Sequence, residues 1–264
     1  MKHIKSVTVI LMAIATLAVF DGCKRGDDDP FFSFRSRKDR VTGDWKIDYF
    51  ESKLLKNFSN GYKANVHFTI NGDNCNQVVD SIDTPHDTTI TTNGTIKESE
   101  YSFDKNSKMT YLLKYEYVID KSSIDENTNV TTYEKTVITT TIRATGSWNF
   151  LSKVEINGVN KYKNKERISF IYESYNTETI TVYTIRQVNE DGATIYSDYQ
   201  SSRSSVENKY ANGENAQIWL INELRNKKIV LERMVDNLNI TDNNGTGYSY
   251  SEKGPENMRL VPRQ

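Results

Sequence analysis

TIKESEYSFDKNSKMTYLLKYEYVID, residues 95–120, is the stretch whose reading decides the fold. In its second half Tyr111, Leu113, Tyr115, Tyr117 and Ile119 fall at every second position. That is the period of a strand with one face turned inward, and not the 3.6-residue period of a helix. The first half ends in Tyr101-Ser102-Phe103, and the polar run Asp104-Lys105-Asn106-Ser107-Lys108 between the halves has the composition of a turn. Two alternating arms around a short polar loop predict an antiparallel hairpin.

The same period continues on both sides of it. Trp45, Ile47 and Tyr49 alternate with Lys46 and Asp48, and Val66, Phe68 and Ile70 alternate with His67 and Thr69. Residues 131–143 (TTYEKTVITTTIR) are β-branched, poor as helix and good as strand. Further arms are read at 168–173, 178–187 and 193–199, with Asn189-Glu190-Asp191-Gly192 as a turn. Residues 201–215 are polar and read as a long loop or a short helix. Residues 217–224 and 228–234 flank Arg225-Asn226-Lys227 as another hairpin, and 248–251 with 258–261 close the sheet. About ten to twelve strands joined by short turns force antiparallel neighbours, and closure into a barrel removes exposed edges. The expected fold is all-β, an antiparallel up-and-down barrel, with a β-sandwich as the alternative. One short N-terminal helix is expected, at 30–40 (PFFSFRSRKDR).

The beginning of the chain carries an address. Lys2 and Lys5 precede the apolar run VTVILMAIATLAVF, residues 7–20. As a helix this run spans about 21 Å, short of the roughly 30 Å hydrocarbon core of a bilayer. A basic start, a short apolar run and a small residue before a cut site are the pattern of a secretory signal. Gly22 is the small residue, and Cys23 follows it. Residues 1–22 are thus expected to be a lipoprotein signal peptide, with Cys23 as the lipid attachment site. Two acyl chains on that thiol would make a stable membrane anchor. Residues 23–29, with the run Asp27-Asp28-Asp29, form the lipidated cysteine and an acidic tether. Phe20-Asp21-Gly22-Cys23 resembles the looser lipobox of Bacteroidetes lipoproteins, and the acidic run resembles their export signal. That resemblance implies the outer membrane, lipid-anchored and exposed at the cell surface, with the periplasmic face as the alternative.

Composition narrows the function. The chain has a formal net charge of −1, and removing Lys2, Lys5 and Asp21 with the signal makes it −2. No basic field is left to hold nucleic acid. Hydrophobic residues make up 36%, low for a globular domain and suited to many half-exposed strands. Residues 30–264 are enough for one large β domain or two small ones, and a single β domain is expected. With Cys23 lipidated, Cys75 has no partner for an internal disulfide. Its setting, Asn71-Gly72-Asp73-Asn74-Cys75-Asn76, reads as a turn and Cys75 as an idle loop thiol.

Gly43-Asp44-Trp45, which follows the helix candidate directly, resembles the Gly-x-Trp at the first strand of the lipocalin and calycin superfamily. The resemblance implies a lipocalin-like barrel in which an arginine of a late strand packs across the Trp45 indole. Arg233 is the candidate for that arginine and Arg259 the second. The run DPFFSFRSRKDRVTGDWK (residues 29–46) looks like the start of a set of Bacteroidetes lipocalin-like lipoproteins, mostly uncharacterised. Gly146-Ser147-Trp148-Asn149-Phe150, Lys163-Asn164-Lys165-Glu166-Arg167 and Ala216-Gln217-Ile218-Trp219 also resemble parts of that set.

Signals of catalysis are sparse. After the signal, the histidines are His67 and His86, which no spacing motif joins. There is no Gly-x-Ser-x-Gly, no His-Glu-x-x-His, no phosphate loop and no paired-cysteine metal pattern. Carboxylates are plentiful, but no spacing singles out a pair for glycoside hydrolysis. In Asp125-Glu126-Asn127-Thr128-Asn129, Val130 stands where a calcium loop needs Gly, so a solvated turn is read there. Asp80-Ser81-Ile82 and Asp87-Thr88-Thr89 resemble the Bacteroidetes O-glycosylation tripeptide and fall in one expected loop. Trp219, Tyr115, Tyr117, Tyr248 and Tyr250 are candidates for a wet aromatic surface, with core as the default. The expectation is a non-enzymatic envelope lipoprotein without cofactor or metal, binding a small apolar or amphipathic ligand. The alternative is a surface interaction module for glycan or another envelope protein.

Overall fold

The computed structural model describes residues 36–82, 88–241 and 249–263. The signal, Cys23, the tether, the first residues of the helix candidate, His86 and Tyr248 lie outside the described residues.

What remains of the helix candidate is α1, Arg37–Val41, capped by the Ser36 hydroxyl, which accepts from the Asp39 amide. The strands in chain order are β1 (Gly43–Phe58), β2 (Lys63–Asn71), β3 (Asn74–Ile82), β4 (Thr88–Phe103), β5 (Lys108–Asp125) and β6 (Val130–Phe150). They continue as β7 (Val154–Ile156), β8 (Val159–Tyr162), β9 (Arg167–Val188), β10 (Thr194–Lys209), β11 (Asn215–Arg225), β12 (Lys228–Thr241) and β13 (Ser249–Pro262). All pairs are antiparallel. The fold is all-β and barrel-like, as the alternation predicts. β7 and β8 form a separate small hairpin.

The register shows how the ring is built. At its base β1 pairs with β4 (Trp45 opposite Tyr101), and β4, β5, β6, β9, β11, β12 and β13 follow in turn back to β1. That is a closed ring of eight strands. Halfway up, the β2–β3 hairpin wedges between β1 and β4. Its turn is tied to both, Gly72 donating to the Asp48 carbonyl and Ile96 to that of Asp73. Higher still the ring parts at two seams, among the described residues. β4 and β5 stay paired only up to Gly94 opposite Tyr117, and β11 and β12 only up to Leu220 opposite Glu232. Above the seams, β4, β3, β2, β1, β13 and β12 make one sheet; β5, β6, β9 and β10 make the other.

The base is the dense part of the core. Trp45 and Trp148 are buried there with Phe103 and Phe170, and Trp219 is buried higher, past the end of the β11–β12 ladder. α1 closes the base from below. The Trp45 indole donates to the Val41 carbonyl at 2.7 Å, and buried Arg40 donates to the Leu224 carbonyl at 2.7 Å. Gly43, at φ 136°, makes the corner from helix to strand that a side chain would strain.

Three expectations from the sequence change. Residues 201–209 are not loop or helix but the second half of β10, laddered onto β9 as far as Lys209 opposite Ser174. A serine-rich stretch makes a sound strand where both faces meet water, because the ladder supplies the hydrogen bonds and no face need be apolar. The arms read separately at 168–173 and 178–187 are one strand, β9. Asp80-Ser81-Ile82 and Thr88-Thr89 likewise belong to β3 and β4, with Ser81 opposite Thr88.

Candidate functional site

Above the tryptophan floor the inward positions become tyrosine. Alternation along β5 turns Tyr111, Leu113 and Tyr115 inward, and Tyr101 of β4 lies opposite Tyr111 with the two rings stacked at 4.5 Å. β9 contributes Tyr172 and Tyr175. Residues three apart cannot share a face of a regular strand, so this needs an irregularity. The register shows it: Ser174 opposes Thr145 and Tyr172 opposes Gly146, leaving Glu173 over as a bulge. The bulge brings the two backbones so close that a Cβ on Gly146 would meet the Ile171 carbonyl oxygen at 2.0 Å. Gly146 is the residue that permits it.

These side chains, with Phe50, Phe68, Ile142, Gln77 and Gln217, surround a cavity of about 260 Å³. On the side of β12 and β13 it is walled by Arg233, Glu256 and Trp219. The Arg233 Nε donates to Glu256 at 2.6 Å, and the Ser52 hydroxyl donates to the other carboxylate oxygen at 3.0 Å. The Arg233 guanidinium lies over the Trp219 ring at 4.8 Å. Its place follows from the ladder: Leu220 and Glu232 are the last pair of β11 and β12, so Trp219 and Arg233 stand next to each other just past its end. A second hollow, about 530 Å³ on the outside of this seam, is lined by Ile218, Leu220, Met234 and Pro255 and also reaches Arg233 and Glu256. The ion pair thus stands between the interior and the surface.

The cavity holds its phenols neutral. Burial pushes Tyr101, Tyr111 and Tyr172 well above the ordinary phenol value, and the positive charge of Arg233 pulls Tyr101 and Tyr172 back a little. Tyr175 is pushed up to about 12, mainly by burial. The Tyr101 and Tyr172 hydroxyls lie 3.4 Å apart, and Tyr172 reaches the Gln217 carbonyl at 3.5 Å, a loose polar chain along one wall.

The residues named from the sequence fall as follows. Gly43 and Trp45 are at the base, where β1 begins. Arg233 is in a late strand but stacks on Trp219, not on Trp45. The register explains the difference: Arg233 opposes Glu256, which opposes Ser52, seven positions along β1 from Trp45 and about 23 Å at strand rise. Arg259 ion-pairs with Asp48 at 2.6 Å and lies over Tyr49. Trp219, Tyr115 and Tyr117 face inward, so they are not a wet surface. Cys75 is not in the turn, which is Gly72-Asp73, but in β3 and buried. It shares a row with Gly94 and Tyr117, whose ring passes over the bare glycine toward it. Burial pushes the Cys75 thiol up to about 11. His67 pairs with Glu51 at 3.1 Å, half exposed. Asp125 caps the β5–β6 turn through Asn127 and Thr128, the solvated turn expected of it. Tyr101, Tyr172, Tyr175 and Glu256 were not singled out in the sequence; the phase change across the bulge conceals the tyrosines of β9.

Comparison of the chain with protein-family models, with curated proteins and with solved structures gives no match.

Proposed function

We propose that this is a non-enzymatic envelope lipoprotein with a lipocalin-like barrel that binds a small amphipathic molecule in its upper interior. The observation that carries this reading is the tyrosine-walled cavity with the Arg233–Glu256 pair on its side. Apolar rings with a few convergent polar groups are the usual chemistry of a small-molecule pocket. Phenols held protonated by burial offer hydrogen bonds and no charge, which suits binding better than proton transfer at neutral pH. The eight-stranded base, α1 beneath it and Gly43-Asp44-Trp45 at the first strand support the lipocalin-like assignment. The signal ending before Cys23 supports a lipid anchor in the outer membrane, with the acidic tether leading to the cell surface.

The cavity size limits the ligand. A protein cavity of about 150 Å³ accommodates benzene, so one of about 260 Å³ suits a compact molecule of roughly ten non-hydrogen atoms. A long-chain lipid does not fit within it. Native mass spectrometry of residues 27–264, purified under mild conditions and followed by solvent extraction, tests the reading. A stoichiometric passenger of that size supports it. A protein that comes out bare and takes up no small amphipathic probe refutes it.

A second reading, a surface module for glycan or another envelope protein, is favoured by the outer edge of β10. That edge carries no strand partner among the described residues, and an open edge accepts an added strand. Pull-down from envelope extracts, with prolines placed along β10 as the control, separates this from the cavity.

A further inference from the structure

We infer that this chain forms a two-fold dimer by pairing the outer edge of β10 with the same edge of a second copy, centred on Ser201. The inference goes beyond the cavity reading and does not rest on it. Above the seams the sheet of β5, β6, β9 and β10 meets water on both faces. Residues 118–125 of β5 are exposed without exception, and so are 199–205 of β10. Seven of the fourteen large hydrophobic side chains exposed among the described residues stand on these strands, Ile124, Tyr133, Ile195, Tyr196 and Tyr199 among them. Clustering of this kind marks an interaction surface. Among the described residues the sheet has two free edges, β5 above Tyr117 and the outer side of β10.

The ladders show which backbone groups each edge presents. The Tyr210 amide donates to the Glu173 carbonyl at 2.9 Å, one step beyond Lys209 opposite Ser174. Even-numbered residues of β10 therefore turn N–H and C=O toward β9, and Ser197, Tyr199, Ser201, Arg203 and Ser205 turn theirs outward. Two such edges running antiparallel about Ser201 exchange about ten backbone hydrogen bonds. That register sets Tyr199 against Arg203, Tyr196 against Val206 and Asp198 against Ser204, and opposes no like charges. Tyr199 and Arg203 are both well exposed, and Arg203 is fixed on its own sheet by Glu178. An aromatic ring beside a guanidinium, or beside a β-branched chain, is a favourable cross-strand neighbour. Moving the axis to Gln200 or Ser202 removes both pairs, and moving it to Arg203 opposes two guanidinium groups. The β5 edge is guarded instead. The Trp148 amide donates to the Ser107 carbonyl, so the even residues of β5 face outward. The register that joins Val118 to Ile124 there opposes two Lys121 side chains. Charge at the centre of an edge works against pairing, whereas residues 199–202 of β10 carry neither charge nor proline.

Sedimentation equilibrium of residues 27–264, which contain every described strand, tests the dimer. A pairing confined to strand edges is small, so wild type is expected to pass from monomer to dimer with a Kd on the order of 10 µM. Ser201→Lys and Ser201→Glu each oppose two like charges at the axis, on a side chain that is exposed in the single chain. Each is expected to weaken the dimer at least about tenfold. An equimolar mixture of the two opposes unlike charges, because residue 201 meets its own counterpart in this register. The mixture is expected to return to within about threefold of the wild-type affinity. Unchanged dimerisation in both variants, or a mixture no better than its components, overturns the proposal. Wild type that stays monomeric at about 300 µM overturns it too, and leaves the β10 edge to a foreign strand. Growth beyond the dimer overturns it as well, since β10 joining β5 of the next copy makes an open series. A dimer that takes up no small amphipathic probe upholds this inference while the ligand reading fails.

Discussion

Replacing Glu256 by Leu tests the electrostatics of the cavity wall most directly. In the native protein the carboxylate, on a residue 7% exposed, is held by Arg233 and Ser52. Glu256→Leu leaves the Arg233 charge behind, largely out of water, at 17% side-chain exposure. Breaking one side of a buried pair costs about 3–5 kcal/mol. The Arg233 head can turn part-way into the outer hollow, which places the expected loss near the lower figure, about 3 kcal/mol. The double variant Arg233→Met with Glu256→Leu removes both charges and leaves no uncompensated ion. Beyond the Ser52 hydrogen bond, which the single variant loses as well, it loses only the cation–π contact with Trp219, about 0.5–2 kcal/mol. The double variant is therefore expected to be more stable than the single one by about 1–2 kcal/mol. Urea unfolding followed by tryptophan fluorescence measures all three proteins. A single variant within about 1 kcal/mol of wild type, or a double variant that shows the sum of two independent losses, would refute the reasoning.

Gly146→Ala puts a Cβ onto the Ile171 carbonyl and is expected to lower stability by at least about 2 kcal/mol in the same urea assay, because backbone and not a flexible side chain must move. The Cys75 thiol should resist iodoacetamide at pH 8 in the folded protein and react readily in urea; equal rates in both would contradict its burial. Because that thiol is raised from 9.0 to about 11 in the folded state, the unfolded chain gives up its proton first as pH climbs between those values, so folding stability falls there. Tyr175, raised from 10.0 to about 12, carries the decline further. Unfolding measured from pH 8 to 12 should accordingly show a shallower fall between 9 and 11 in Cys75→Ala.

Much of the architecture was legible because strand alternation is a local signal. The hairpin at residues 95–120 and the inward positions Tyr111, Leu113, Tyr115 and Tyr117 stand as read, whereas Ile119, read on the same face, is exposed. Two kinds of information were not local. Glu173 shifts the phase of β9 by one residue, so a reading by period 2 breaks the strand in two and loses Tyr172 and Tyr175 as a pair. The partner of Arg233 depends on where the β11–β12 ladder stops. No pattern within either strand announces that point, whereas the Gly-x-Trp resemblance points to the wrong indole. Cys75 reads as a turn residue because the Asn-rich stretch beside it masks the first residues of β3. The serines of β10 read as loop because propensity weighs composition, and an edge strand wet on both sides needs none of the apolar residues that propensity rewards.

The seam between β1 and β13 sets the order in which this molecule can be assembled. Trp45 lies opposite Pro262, and the Arg263 amide donates to the Asp44 carbonyl, so the ring is sealed by the first and last of the described strands. Pairings between distant parts of a chain are slow to find, since the loop between them must be closed first. Until β13 arrives, β1 and β12 each present a bare edge, and a chain stopped short of it would be sticky and not simply smaller. Glu256 and Met258, two walls of the cavity, belong to that final strand. The cavity is thus complete only once β13 is in place, and a molecule held in it would report that the ring has closed.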